Sequence, residues 1–468
     1  MPKITRPAGP KGSTIQGILP QFLDNPLDLL ERTAASYGDI VTLRFFHRYA
    51  YFLNHPDYIK YVLVDNNQNY VKGRAVELLK PVIGQGLLTS EGQFHQRQRR
   101  LIQPAFHRRR IAALAETMTD FTERHIAAWC DGEIRDLHQE LMRLTMSIVT
   151  QSLFGVDVTR ENKKLAATLD ELMTEFSFGD ASPLGRLLNR LPTARTRHRA
   201  ALLRPLDEAI YGFIKAGRER SEERDDLLSL LLAAQDNEGD GIGMSDQQVR
   251  DELMTLFIAG HETTANAITW TFYLLAQHPE VEVKLHTELA EVLAGRCPTA
   301  EDVPALKYTR MVLAEAMRLY PPAWIMGRMA VATDEIGGYR IPAGSTVIIS
   351  QWTMHRHPAY WDEPQRFNPE RFDPEASSAK QRPRYAYFPF GGGPRLCIGE
   401  PFAWMEGILL IAAIAQRFHF SLAPSARIEL EPVVTLRPKY GVPVILHQRS
   451  QKVSLPLIFV KDKNLYCT

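Results

Sequence analysis

From Ser245 to Gln277 the chain reads as one uninterrupted helix of about 33 residues, which at 1.5 Å per residue is roughly 50 Å long. Ser245-Asp246 is a capping signal at its start, and His278-Pro279 closes it. A helix of that length crosses an entire domain, so the rest of the chain has to be built around it. Most of the remaining sequence is also helical in period, as in Leu114, Met118, Phe121 and Ile126, or Leu227, Leu228, Leu231 and Leu232. Strand signals are few. Ile40–Phe46 and Tyr49–Leu53 cluster β-formers around a short polar break, which predicts a hairpin. Two further signals lie near Ile336–Ile349 and Val433–Leu446, the latter read as a closing hairpin. The expected fold class is mainly α with a small β region.

At 468 residues and 45% hydrophobic, the chain can bury a large core. Its 55 basic and 54 acidic residues give a formal net charge of +1, so no global field points to nucleic acid. Arg218–Asp226 is a dense charge run expected at a solvated helix end and linker. The four cysteines, Cys130, Cys297, Cys397 and Cys467, are widely spaced and form no C-x-x-C pair, which predicts a reducing, cytoplasmic setting. The N-terminal residues hold no apolar core of a signal peptide, and the longest apolar helix segment, Gly407–Ala415, falls far short of a bilayer span, so no membrane anchor is expected. Residues 1–450 read as one domain and 451–468 as an appendage.

The densest glycine and proline in the chain surround one cysteine, in Pro389-Phe390-Gly391-Gly392-Gly393-Pro394-Arg395-Leu396-Cys397-Ile398-Gly399. A thiolate that holds a metal needs backbone N–H groups aimed at its sulfur, and residues without side chains let the backbone come that close. The helical run Glu400–Phe418 that follows would point its positive end at the sulfur and favour the thiolate.

This segment resembles the haem-binding loop of the cytochrome P450 family. The resemblance implies the cytochrome P450 fold, a haem b (iron protoporphyrin IX) cofactor under the long helix, and Cys397 as the iron ligand. Phe390 belongs to the same loop, and Arg395 matches a residue that hydrogen-bonds a haem propionate. Ala259-Gly260-His261-Glu262-Thr263-Thr264, inside the long helix, resembles the family's oxygen-binding motif. By that match Glu262 and Thr263 are catalytic and carry protons to the reacting oxygen, while Gly260 leaves room beside the helix. His261 falls at the variable position and is expected to pack rather than to ligate. His95 and Arg99 match propionate partners, with histidine where the family usually has tryptophan, and Arg328 matches a third. Glu315, Arg318 and Arg371 resemble the family's E-x-x-R and P-E-R-F elements and are expected to form a buried charge network. The resemblance runs from the Pro-Ala-Gly-Pro-Lys-Gly start to Thr435-Leu436-Arg437-Pro438.

The function so implied is a monooxygenase that inserts one oxygen atom of O2 into an apolar substrate. No G-x-G-x-x-G opens a β-α-β unit, so electrons are expected from separate partners, a ferredoxin and its NAD(P)H-dependent ferredoxin reductase. Segments matching the family's substrate contacts are oily: Leu78, Leu79, Val82, Ile83, Leu87 and Leu88, then Phe176 and Phe178, then Trp324 and Ile325. They favour hydrocarbon-rich ligands, and the stretches Phe94–Arg100 and Met317–Trp324 resemble bacterial members of the family acting on terpenes and fatty acids, which implies a terpenoid ahead of a fatty acyl substrate. A haem-thiolate isomerase or peroxygenase and a non-catalytic haem sensor are the alternatives; the Glu262-Thr263 pair argues against the former.

Overall fold

The structure, a computed structural model, describes residues 6–155, 168, 185, 191–219, 226–236, 239 and 241–449. Phe176, Phe178, the appendage 451–468 and residues 220–225 of the charge run lie outside them.

The long helix spans Asp246–Leu275. Ser245 accepts from the Gln248 backbone while the Gln248 side chain accepts from the Ser245 backbone, a reciprocal cap that satisfies two N–H groups otherwise without partners. The helix is buried on nearly all sides. Ile268 and Phe272 share one core with residues of Ala115–Ile126, Leu137–Phe154, Lys307–Leu319 and Glu400–Arg417. Nearer its N-terminus, Leu253 and Phe257 join a second core with Val82, Leu101, Ile210 and Leu228.

The hairpin forms as read: Ile40–Phe45 pairs antiparallel with Arg48–Leu53 across Phe46 and His47. It is the edge of a five-stranded sheet continued by Thr346–Ile349, Met326–Ala330 and Tyr70–Lys72. The Ile336–Ile349 signal resolves into Asp334–Ile336, Tyr339–Ile341 and Thr346–Ile349, of which the first two pair with each other.

Two readings are corrected. The closing segment is no hairpin. Leu436–Pro438 pairs with Leu430–Pro432, whereas Pro443–Gln448 pairs with Phe418–Leu422 on one side and Ile134–Asp136 on the other. Phe418 therefore begins a strand rather than ending the helix, which stops at Arg417. Strands at Tyr70–Lys72, Ile134–Asp136, Met326–Ala330, Phe418–Leu422 and Leu430–Pro432 add to those expected.

Candidate active site

Between the long helix and the Cys397 loop lies a cavity of about 1030 Å³. The loop closes its floor. Gly393 has φ +66°, and a Cβ there would fall 1.9 Å from the Leu63 carbonyl oxygen, so only glycine fits. The Cys397 N–H donates to the Phe390 carbonyl at 3.0 Å, fixing the turn. The Cys397 thiol is enclosed by protein yet open to the cavity. Burial pushes the thiol up, while the Gly399 N–H and the charges of Arg99 and Lys72 draw it down. Helix Glu400–Arg417 starts at Gly399, its positive end beside the sulfur. Phe390 lines the cavity and leans on Trp404, their ring centroids 5.8 Å apart.

The basic residues singled out in the sequence converge on one end of this floor. Arg99 donates to the Leu396 carbonyl at 2.7 Å, next to Cys397. Arg395 donates to the Ser90 carbonyl at 2.8 Å and pairs with Glu91. Arg328 is buried and lowered to about 10, first by burial and then by Arg395. His95, on the same helix as Arg99, is lowered to about 3 by burial and then by Arg395, Lys72 and Arg99. Its ring is therefore neutral at neutral pH and keeps one N–H to donate.

Lys72 was not anticipated. Antiparallel pairing of Tyr70–Lys72 with Met326–Ala330 sets it directly opposite Arg328, and burial followed by the charges of Arg328 and Arg395 lowers it to about 7. Like charges facing across strands are destabilising, and Glu91 is the carboxylate that acts on Lys72, Arg328 and Arg395 alike. Such a cluster beside an open thiol fits a planar iron-bearing group with two carboxylates of its own. Arg97 and Arg100, by contrast, are engaged with Asp236.

Across the cavity, Ala259, Gly260, Glu262, Thr263 and Thr264 line the wall. The Thr263 hydroxyl donates to the Ala259 carbonyl at 2.8 Å, leaving its lone pairs for the cavity. Glu262 is buried and accepts from Thr435 at 2.6 Å. A Cβ on Gly260 would press on Val149 at 3.2 Å, so this glycine also lets helix Leu137–Phe154 come close. His261 does not line the cavity; its Nδ1 lies 3.0 Å from the Phe257 carbonyl and its ring beside that of Phe257.

Beneath the floor, Arg318 and Glu315 are fully buried, and Arg318 donates to both Glu315 oxygens at 2.6 and 2.8 Å. Arg371 adds a third bond to Glu315 at 2.9 Å, and Arg318 also reaches the His355, Pro364 and Arg366 carbonyls. The expected charge network is present and fully bonded.

Leu78, Leu79, Val82, Ile83, Leu87, Leu88 and Ile325 line the cavity as read. Trp324 does not: it is fully buried in another core, with its Nε1–H on the Val433 carbonyl at 3.1 Å. Asp24, Arg48, Arg110 and Lys439 border the cavity and are exposed, so they mark where it opens outward.

A lone thiol under an oily chamber, faced by an acid and a hydroxyl and flanked by cations, defines the haem-thiolate oxygenases. The family model described as Cytochrome P450 matches residues 7–444. Cyclooctatin synthase of Streptomyces melanosporofaciens is 40% identical over 428 residues, 91% of this chain and 92% of that protein. Cyclooctat-9-en-7-ol 5-monooxygenase of the same organism is 36% identical over 85% of this chain and 86% of its own length. Pentalenene oxygenase of Streptomyces avermitilis is 32% identical over 93% of this chain and 94% of its own. The chain belongs to the cytochrome P450 family. It is a haem-dependent monooxygenase, an oxidoreductase that works with a redox partner on apolar substrates. Among the described residues no helix is long and apolar enough to cross a membrane.

Proposed function

We propose that the enzyme hydroxylates or epoxidises a terpenoid in the cytoplasm, using O2 and two electrons delivered by a ferredoxin and an NAD(P)H-dependent ferredoxin reductase. The carrying observation is the aliphatic wall of Leu78, Leu79, Val82, Ile83, Leu87 and Leu88 lining the cavity, a surface suited to a hydrocarbon skeleton. Relatives named for pentalenene and for cyclooctat-9-en-7-ol, by their names an alkene and an unsaturated alcohol, support the same substrate class. A cytoplasmic setting agrees with Cys130, Cys297 and Cys397 being free thiols.

Haem, when bound, supplies the iron at which O2 is reduced and cleaved, a reaction that electron density from a thiolate ligand favours. Cys397 would be that ligand; the Gly399 N–H, Arg99 and Lys72 favour its anion, against burial and the Glu400 charge, which push the thiol up. Lys72, His95, Arg99, Arg328 and Arg395 would hold its propionates, and Phe390, packed on Trp404, would keep the Cys397 loop in place. Thr263, its own hydrogen spent on Ala259, accepts a hydrogen bond from the cavity side, and Glu262 replaces the protons consumed. The oily wall excludes bulk water from that exchange.

A spectral titration of the ferric protein against terpenes and fatty acids, followed by product analysis under isotopically labelled O2, tests this reading. Expected are a spin-state shift with terpenes at concentrations where fatty acids give none, and one labelled oxygen per product. Tight binding and turnover of fatty acids alone would overturn the substrate assignment.

A further inference from the structure

The Glu262 carboxyl is the end of a chain of side chains. Its Oε1 accepts from Thr435 Oγ1 at 2.6 Å, Thr435 Oγ1 accepts from Asn266 Nδ2 at 3.1 Å, and Asn266 Oδ1 lies 2.9 Å from His138 Nε2. The chemistry of the members fixes the direction of each bond. A threonine hydroxyl has a single hydrogen, and spending it on Glu262 makes Thr435 the acceptor for Asn266. With its amide nitrogen so used, Asn266 turns its oxygen to His138, and an amide oxygen can only accept, so His138 Nε2 carries the proton. Every donor in the chain points toward Glu262.

Three separate elements contribute: the long helix, the segment preceding Leu436–Pro438, and the first turn of Leu137–Phe154. Glu262 and Thr435 line the cavity, Asn266 is fully buried, and His138 at the far end is half-buried. Joining the long helix to the closing segment does not require this chain, because the Trp270 Nε1–H already donates to the Leu436 carbonyl at 3.1 Å. What it adds is control over the residue next to Thr263. A glutamate on a free stem samples several rotamers, whereas a proton hand-off works only at hydrogen-bonding distance.

We propose that Thr435, Asn266 and His138 are positioning residues for proton delivery, with Thr435 the immediate tether that holds Glu262 in the orientation from which it serves Thr263. Held through Oε1, the carboxyl exchanges protons through its other oxygen. The proposal rests on Glu262 being the relay acid.

Two readouts on the haem-loaded enzyme test it, one of them independent of turnover. The Glu262 carboxyl band is assigned in the infrared by its loss in Glu262→Gln. Thr435→Val removes the donor and keeps the shape; it is expected to shift that band and to raise the share of electrons released as peroxide by about threefold or more, the factor one ordinary hydrogen bond represents. Thr435→Ser restores both to the parent values, and Thr435→Ala replaces the valine variant if that one fails to fold. If Glu262→Gln uncouples the enzyme while band and coupling in the Thr435 variants match the parent, the tether is overturned and the relay assignment stands. A fully coupled Glu262→Gln enzyme overturns the relay assignment itself, and the tether with it.

Discussion

In the proposed role of iron ligand Cys397 has to act as an anion, although burial pushes its thiol up. The loop opposes burial with an N–H from Gly399 and with cations at Arg99 and Lys72, and a serine hydroxyl in the same place is too weak an acid to follow. Cys397→Ser is therefore expected to lose the red-shifted Soret band of the reduced, carbonylated protein and all hydroxylation; an unchanged band would refute the ligand assignment. Glu406 obeys the opposite logic. It is fully buried, the Thr264 hydroxyl that acts on it donates to the Gly260 carbonyl, and both its oxygens lack partners, so burial pushes it up to about 8. Between its ordinary value near 4.5 and about 8, the folded protein keeps a proton that the unfolded chain has released, so stability falls as pH rises across that window. The slope is on the order of 1 kcal/mol per pH unit. Glu406→Gln cannot titrate, and its denaturant-measured stability is expected to gain on the parent steadily from pH 5 to pH 8; parallel pH profiles would exclude the assignment. Cys397, Arg395, Glu262 and Thr263 were legible because each sits in a contiguous motif, even though Arg395 and Glu262 bond partners far away in sequence. Lys72 and Thr435 were not, because strand register and a distant segment bring them to the site.

At the scale of elements, the long helix was readable from both ends, since its cap and its terminating proline are local signals. The short strands were not. A three-residue strand such as Tyr70–Lys72 carries no periodicity to detect, and it exists because Met326–Ala330 lies beside it. Phe418 belonged by pattern to the preceding apolar run, yet its backbone pairs with Gln448, a partner no local window contains. The Glu315 network connects these scales. Helix Lys307–Leu319 supplies Glu315 and Arg318 at i and i+3, a spacing any exposed helix uses, but here the pair is buried and receives Arg371 from the 3-10 turn Pro369–Phe372. Glu315→Gln leaves two buried guanidinium groups without their anion and is expected to cost about 3–5 kcal/mol. Chemical denaturation checks this: the midpoint should fall with the slope unchanged, and a loss under about 1 kcal/mol would mean that the backbone carbonyls alone suffice.

On the scale of the whole molecule, the cavity unites two surfaces of opposite character, an aliphatic wall under the long helix and a cationic rim at the edge of the five-stranded sheet. The wall was legible as oily segments, although Trp324 shows that an aromatic in such a segment can serve another core instead. The rim makes folding and cofactor loading interdependent. Lys72 and Arg328 face each other across paired strands with Arg395 beside them, and Glu91 opposes all three. Two propionates placed there would relieve that repulsion, so haem would stabilise the fold by its binding energy and also by neutralising the rim. Without haem, dissolved ions have to do the neutralising, and screening grows with ionic strength. The haem-free protein is therefore expected to melt at a lower temperature than the loaded one and to gain markedly between about 0.05 and 0.5 M salt, while the loaded protein changes little over the same range. Lys72→Met is expected to flatten the salt dependence of the haem-free form by removing one of the facing charges. Parallel melting curves for loaded and haem-free protein across that salt series would show that the rim is already neutral within the chain, and would remove the electrostatic argument for where the propionates sit.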